Sequence, residues 1–410
     1  MIMFSADKLK QSIANFSVKE FNTDAIKNCV LEISIPRLNF EHHINLGQAR
    51  ADSEAPMTPT HQFHIASITK TITATLVLQL WEKGAFGSKG LDISLGELSI
   101  FPKEVLNRLH NKNNVSSGSR ITLRQLLTHT SGLKDPYADD ENGIASDYGG
   151  AAPGSIAAAW QSDLEKLGSG DSSFNEQTAI IYKNWLPWDA TEPNNKDAGM
   201  INYYINTLGN SPVAKPGKTD HYSDTGFVIL ALVAEKISNK SYHRLLRDNI
   251  FDPLGMDSTY LAYAIDPKPG LWEKEISDCY VGDFPMVSGG FNFSFDWGGG
   301  GLVSTAGDLN KFLEGLHNGK LFKMKHTLYE MFSWNRFTSL GANVEIGLGI
   351  LCYENKKNKT RIFGHDGAWG SVMFYEPNYG IYISGTVNQL QGVRSGWIND
   401  LFDVTIKTMV

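Results

Sequence analysis

The segment Ser67-Ile-Thr-Lys70 through Trp81 constrains this chain more than any other. Ile68, Ile72, Leu76 and Leu80 recur every four residues, and Val77 and Trp81 widen the stripe. So broad an apolar surface predicts a central, mostly buried helix over 67–83. Ser67 and Lys70 open that helix. Positions i and i+3 share a face, which brings the hydroxyl and the amine within reach of each other. A serine needs a base to become a nucleophile, and a desolvated lysine is one. The spacing alone is cheap, because Ser5–Lys8 and Ser131–Lys134 match it too. The Ser67 match differs in lying at a buried helix N-terminus, where free N–H groups and the helix dipole favour a developing negative charge.

A length of 410 residues predicts two or three domains, or one large two-lobed one. With 41% hydrophobic and 20% charged residues, disordered, collagen-like and coiled-coil chains are excluded. The net charge of −7 disfavours nucleic acid as a partner. No uncharged apolar run reaches the roughly 18 residues of a membrane span. Cys29, Cys279 and Cys352 are odd in number, far apart and without metal-binding spacing, which argues against a disulfide framework. The first residues alternate charged and apolar side chains and lack a basic stretch followed by an apolar one, so a cytoplasmic location is expected.

Along the chain, 6–16 reads as an amphipathic helix with Leu9, Ile13 and Phe16 on one stripe, and 29–36 and 38–47 as a strand pair. Thr122 caps a short helix that Ser131-Gly132 stops. Residues 135–215 are rich in Asp, Asn, Gly, Ser and Trp and weakly periodic. They read as an inserted, lid-like excursion, in which Trp160, Trp185 and Trp188 need a surface to pack on. Helices resume at 224–238 and 241–250. Strands are expected at 343–354, 360–364, 370–376 and 379–387, with a closing helix at 394–408. The expected fold class is α+β, an antiparallel sheet flanked by helices with an inserted, mostly helical lobe. Residues 1–66 and 330–410 would form the sheet lobe from both chain ends, and 67–329 the helical lobe.

Two further segments carry polar residues in unusual settings. Pro216-Gly-Lys-Thr-Asp-His-Tyr222-Ser-Asp224 is a loop leading into a helix, and its plain reading is a turn with a cap at Asp224. Gly364-His365-Asp366-Gly367-Ala368-Trp369-Gly370 lies at a sheet edge, where glycines admit a close backbone approach or a bulge.

These three elements, in this order, resemble the serine β-lactamase and penicillin-binding protein superfamily. The likeness is greatest to its class C-like branch of esterases, D-amino-acid peptidases and carboxypeptidases. Leu126-Leu-Thr-His-Thr-Ser-Gly-Leu133, Phe251-Asp-Pro-Leu-Gly-Met256 and Gly299-Gly-Gly-Leu-Val-Ser-Thr-Ala-Gly-Asp-Leu309 extend it over about residues 60–376. The resemblance implies a β-lactamase/transpeptidase-like fold with no metal or cofactor. It implies Ser67 as the acylated nucleophile, Lys70 as its proton acceptor and Tyr222 as the second acid/base. The family's third motif is Lys-Thr-Gly or His-x-Gly, which His365 and Gly367 match. The Ser67 and Ala368 N–H groups would form the oxyanion hole.

Two departures stand out. The family's Tyr-x-Asn is here Tyr222-Ser-Asp224. An ionised Asp donates no hydrogen bond. Pointed at the site, it would add negative charge beside Lys70, oppose a neutral lysine base, shift work onto Tyr222 and favour a cationic substrate. The insertion at 135–215 is also longer than the usual connection. Histidines 42, 43, 61 and 64 lack a carboxylate set, so satisfied or surface histidines are expected rather than a metal. His129 is expected to bond backbone near the cleft, and Gly298–Gly301 to serve close helix packing rather than phosphate binding.

Two function classes follow. One is a serine hydrolase acting through a Ser67 acyl-enzyme on an ester or amide of a small molecule or short peptide, with acyl transfer or transpeptidation as its variant. The other is a catalytically silent ligand-binding homologue, which Asp224 permits and Ser67, Lys70 and Tyr222 oppose.

Overall fold

A computed structural model describes residues 4–21, 24–135, 137–139, 211–262, 276–289, 293, 296–390 and 396–409. Most of the 135–215 insertion, with Trp160, Trp185 and Trp188, lies outside the described residues. In chain order the elements that matter here are α1 (Ala6–Phe21), β1 (Asn28–Ile35), β2 (Phe40–Gly47), β3 (Phe63–His64), α2 (Ile68–Glu82), α3 (Leu123–Leu127), α4 (Asp224–Ser238), β4 (Tyr260–Leu261), α5 (Trp297–Gly300), β5 (Leu302–Ser304), α6 (Ala306–His317), β6 (Asn335–Arg336), β7 (Val344–Ile346), β8 (Leu351–Glu354), β9 (Arg361–Gly367), β10 (Ser371–Glu376), β11 (Ile381–Thr386) and α7 (Trp397–Met409).

Among the described residues, eight strands form one sheet in the order β6-β7-β8-β9-β10-β11-β1-β2. Every pairing is antiparallel, and β1 closes against β11, so the two chain ends share one sheet, as the fold class requires. The two-residue period of a strand separates two cores. Cys29, Leu31, Ile33, Ile35, Ile362, Val372, Phe374, Ile381 and Ile383 face α1 and α7. On the other face Val30 and Met373 join the larger core built on α2, α4 and α6. Asn388 ties the ends together inside, donating to Asn28 at 2.7 Å.

Helix α2 is buried from Ile68 to Leu80, polar side chains included. Thr73 is accommodated by hydrogen bonds: its Oγ1 lies 2.7 Å from the Gly298 carbonyl oxygen and 2.6 Å from the Tyr242 hydroxyl. The glycine run serves close packing, since a Cβ on Gly298 would lie 2.5 Å from Ala231 Cβ on α4. Thr122 caps α3 in a reciprocal box with Gln125.

Three expectations need correction. The strand expected over 343–354 is broken into β7 and β8. The intervening turn dips onto α2, where a Cβ on Gly349 (φ 68°) would stand 2.5 Å from Ala74 Cβ. The helix expected over 241–250 is regular only at Tyr242–Leu246 and then widens into a π turn at Arg247–Phe251. Pro253 has no N–H to give the Asn249 carbonyl, which Gln79 Nε2 takes instead at 3.2 Å. Two strands of the small sheet β3-β5-β4, namely β4 and β5, stand within the segment expected to be mostly helical. The three cysteines are free and buried.

Candidate active site

Ser67 stands immediately before α2, and Ala66 ahead of it takes a left-handed conformation with φ 45°. That turn swings the chain from β3 into the helix and leaves Ser67 half-buried. The sheet supports it directly. Ser371 Oγ on β10 donates to the Ile65 carbonyl at 2.9 Å. Gly367 at the end of β9 lies so close that a Cβ there would be 2.5 Å from the Ile65 oxygen and 2.9 Å from Ala66 Cβ. The glycine expected to permit a close approach is therefore packed against the residues that set Ser67. Beyond it the chain turns at 367–370, closed by a Gly370 N–H to Gly367 carbonyl bond of 3.0 Å. Trp369 is buried edge-on against Phe293, which leaves Ala368 outward and exposed. Among the described residues the N–H groups of Ser67 and Ala368 donate to no protein acceptor.

One turn into α2, Lys70 is wholly buried, and three acceptors surround its ammonium. Ser67 Oγ is 3.0 Å away and the Gly299 carbonyl 2.9 Å. The third is the carboxylate of Asp224, in direct ion-pair contact. An ammonium has three donors, so the set is complete. Gly299 holds this corner open: a Cβ on it would meet Asp296 Oδ1 at 2.3 Å and Asp224 Cβ at 3.5 Å.

Asp224 is the first residue of α4, and the capping position belongs to Ser223, which corrects the cap expected at Asp224. It does point inward, but its side chain is only 7% exposed and is engaged by Lys70, so it is not presented to a substrate. Burial raises its pKa while Lys70 pulls it back. Two further acids lie near it. Asp296 and Asp135 are both buried and held well above the usual carboxylate range, by burial first and then by the charge of Asp224. Sequence reasoning missed both. Asp296 carried one signal, its place just before the glycine run, but nothing in the sequence marks it as buried.

Tyr222 is half-buried, with its ring 5.0 Å beneath Lys70 Nζ. His129 stacks on that ring at 4.4 Å, and its Nδ1 accepts the Ser223 N–H at 3.0 Å. The His129 carbonyl takes the His221 N–H at 2.8 Å, and Ser223 Oγ donates to the Lys134 carbonyl at 2.7 Å. The segment after α3 thus clamps the Tyr222 loop from three sides, as expected of a backbone-bonding His129. Burial, then Lys70, lowers the His129 pKa well below the ordinary imidazole value, which suits an accepting nitrogen.

His365 projects from β9 on the same face as Gly367, its ring 6.5 Å from that of Tyr222. Asp366 beside it would favour a charged ring, and burial a neutral one. Burial wins: with Lys70 adding to it, the His365 pKa falls to about 3, and the ring is neutral at physiological pH. The other two Ser-x-x-Lys matches are placed elsewhere. Ser5 accepts the Lys8 N–H at the exposed start of α1, and Ser131 accepts the Leu133 N–H in the loop after α3. His64 is buried and stacked on Phe293 at 3.9 Å, and His61 Nδ1 accepts the Thr58 N–H. Among the described residues no group of His, Cys, Asp and Glu is arranged to hold a metal ion.

The β-lactamase family model matches residues 40–401. This chain belongs to the β-lactamase family. It is 25% identical over 337 residues to penicillin-binding protein 4* of Bacillus subtilis, covering 80% of this chain and 60% of that protein. It thus spans well under two thirds of that relative. Among solved structures, D-amino acid amidase from Ochrobactrum anthropi superposes with a TM-score of 0.70 at 20% identity, covering 98% of both chains. A D-stereospecific amidohydrolase from Streptomyces superposes with a TM-score of 0.67 at 21% identity, covering 99% of this chain and 98% of that one. These likenesses carry the fold: an antiparallel sheet with helices, of the β-lactamase/transpeptidase type. No helix among the described residues is long and apolar enough to cross a membrane.

Proposed function

We propose that this protein is a serine hydrolase that cleaves an amide or ester bond of a small molecule or short peptide through an acyl-enzyme on Ser67. The observation that carries the reading is the pairing of Ser67 Oγ with the buried Lys70 Nζ at 3.0 Å at the start of a buried helix. A nucleophile and its proton acceptor are thereby in contact before substrate arrives. Ser67 attacks the carbonyl, the N–H groups of Ser67 and Ala368 receive the oxyanion, and Tyr222 protonates the leaving group. Water then resolves the acyl-enzyme. Two preorganised backbone donors of this kind are each worth about 10²–10³ in rate.

Charge narrows the substrate. His365 is neutral, and Lys70 is engaged by Asp224. Neither His365 nor Lys70 is therefore a spare cation for a carboxylate beside the scissile bond. Neutral amides and esters fit better than peptides recognised by a free C-terminus. The D-amino acid amidase and amidohydrolase with the same fold act on substrates of the amide class.

Intact-mass spectrometry after a fluorophosphonate, with peptide mapping, tests the nucleophile. A single adduct on Ser67, lost in Ser67→Ala, is expected. Turnover of D-amino-acid amides, p-nitrophenyl esters and acyl-D-Ala-D-Ala peptides then tests the class. Faster cleavage of the carboxylate-bearing peptides than of the amides and esters would overturn the substrate argument, and labelling elsewhere would overturn the site.

A further inference from the structure

Lys70 has no lone pair to offer Ser67 while all three of its N–H bonds are spent on Ser67 Oγ, the Gly299 carbonyl and Asp224. To accept the serine proton it must first release one of its own. The Gly299 carbonyl is not basic, which leaves a single destination in contact with it. We infer that Asp224 is the terminal proton store of acylation, with Lys70 relaying the Ser67 proton to it. The inference rests on the Ser67 reading above and adds a residue to it.

The step balances without a co-reactant. The bond from Ser67 Oγ to the carbonyl carbon forms as the Oγ–H bond breaks. That proton passes to Lys70 Nζ, and one ammonium proton passes from Nζ to Asp224 Oδ1. Lys70 ends as it began, an ammonium, and Asp224 ends as a carboxylic acid. When the tetrahedral adduct collapses, Tyr222 gives its hydroxyl proton to the leaving group, and the proton stored on Asp224 returns through Lys70 to the Tyr222 oxygen. Burial favours a neutral carboxyl over a carboxylate, and it raises the Asp224 pKa, so storage there is inexpensive. An asparagine in that place has no basic oxygen to take a proton.

The surroundings suit the store. Asp296 and Asp135 flank Asp224, and both are driven towards the neutral acid. His129 and His365 face the same ammonium as neutral rings, and Tyr222 presents its face to it. Asp224 is distinguished from the two neighbouring acids by its ion pair with Lys70.

The test is the rate at which a fluorophosphonate labels Ser67. Oγ–P bond formation expels fluoride and needs only the serine proton removed, so no leaving group has to be protonated. In wild type the rate should fall at acid pH in one limb, as Asp224 becomes protonated and can store nothing. The proton inventory in H2O/D2O mixtures should be bowed, because two protons move. Asp224→Asn should label at least tenfold more slowly at pH 7, with its acid limb moved to higher pH and a linear inventory. Asp224→Glu should restore the bowed inventory, and it carries the test if Asp224→Asn does not fold. A wild-type inventory that is linear overturns the relay. So does an Asp224→Asn rate within twofold of wild type, or a slower rate with the limb unmoved. Absence of Ser67 labelling in wild type would instead remove the nucleophile assignment, and the relay with it.

Discussion

Replacing Gly367 by alanine should damage catalysis far more than stability. The added Cβ would stand 2.5 Å from the Ile65 carbonyl oxygen, 2.9 Å from Ala66 Cβ and 2.3 Å from Ser371 Oγ. Ordinary contact begins near 3.4 Å, so the Ile65–Ala66 backbone or the end of β9 must retreat by roughly 0.9 Å. Neither yields freely. Ile65 is buried, and its carbonyl is tied to Ser371 at 2.9 Å, while the end of β9 is held to β10 by the Gly367–Ser371 pairing. Overpacking of this kind costs about 1–3 kcal/mol. Ser67 follows Ala66, and Ala368 follows Gly367. The retreat therefore separates the two N–H groups proposed to bind the oxyanion. A misplacement near 1 Å is worth about 10² in rate.

The expected result is a fall of about 100-fold in the fluorophosphonate labelling rate of Ser67 and in kcat/KM for an ester, with a melting temperature only a few degrees lower. Ser371→Ala serves as the control, because it deletes one of the three clashing atoms together with the hydroxyl bond to Ile65. Gly367→Ala combined with Ser371→Ala should recover part of the rate lost in Gly367→Ala alone, since neighbouring sites are not additive. A Gly367→Ala variant that labels within threefold of wild type would refute the claim that this contact sets Ser67.

Ser67→Ala and Lys70→Ala should each lower turnover by about 10³-fold or more while remaining folded, whereas Ser5→Ala and Ser131→Ala should leave labelling on Ser67. His365→Ala should retain more activity than Ser67→Ala and show no limb near pH 6.5 lost with the ring, because the wild-type ring is neutral there already. His365→Lys should raise the relative rate on carboxylate-bearing substrates; an unchanged ratio would place His365 away from the substrate. Stability should fall on the acid side. Burial lowers the pKa of His317 to about 3, so between there and the ordinary value near 6.5 the unfolded chain binds the extra proton. Each such histidine removes up to about 1.4 kcal/mol per pH unit as pH drops. His317→Phe, in a pocket where Tyr375 lies 3.7 Å away, should flatten that acid limb in urea-melt data without changing activity.

What the sequence disclosed follows from which physical signals are local. The apolar repeat of α2 and the apolar strand runs near both chain ends are local, so sheet, buried helix and the meeting of both chain ends were legible. The breaks in regularity were not, because each depends on a contact made across the fold. Gly349 interrupts the expected 343–354 strand on account of Ala74, and Gln79 reaches across 170 residues to the Asn249 carbonyl that Pro253 leaves open. Within the site, Ser67 and Lys70 were legible from helical spacing. Tyr222, His365, Gly367 and Ala368 needed the family resemblance, since a loop tyrosine and a sheet-edge glycine carry no period. Asp224 was visible as a departure, but its partner was not. Burial decides whether an aspartate selects a cationic substrate or pairs with a lysine, and one sequence does not report burial residue by residue.

The buried departures from local rules have a location in common. Among the described residues, five of the ten left-handed non-glycine positions are asparagines, for which that conformation is inexpensive, and two more, Ser99 and Lys359, are exposed. The remaining three, Ala66, His129 and Trp297, are buried. Ala66 precedes Ser67, His129 supports Tyr222, and Trp297 opens the helix whose Gly299 carbonyl holds Lys70. The buried acids Asp135, Asp224 and Asp296 cluster around the same lysine. Strained backbone costs on the order of 1–3 kcal/mol per residue, and it persists only where the surrounding structure over-determines it. Here the over-determination is supplied by α2 and α4, buried almost throughout, and by a sheet closed onto Ile65. A chain selected for stability alone would relax these positions. That unfavourable backbone and unfavourable charge converge on one lysine and one serine argues, independently of any likeness to other proteins, that the Ser67–Lys70–Asp224 corner is what the rest of the fold is built to hold.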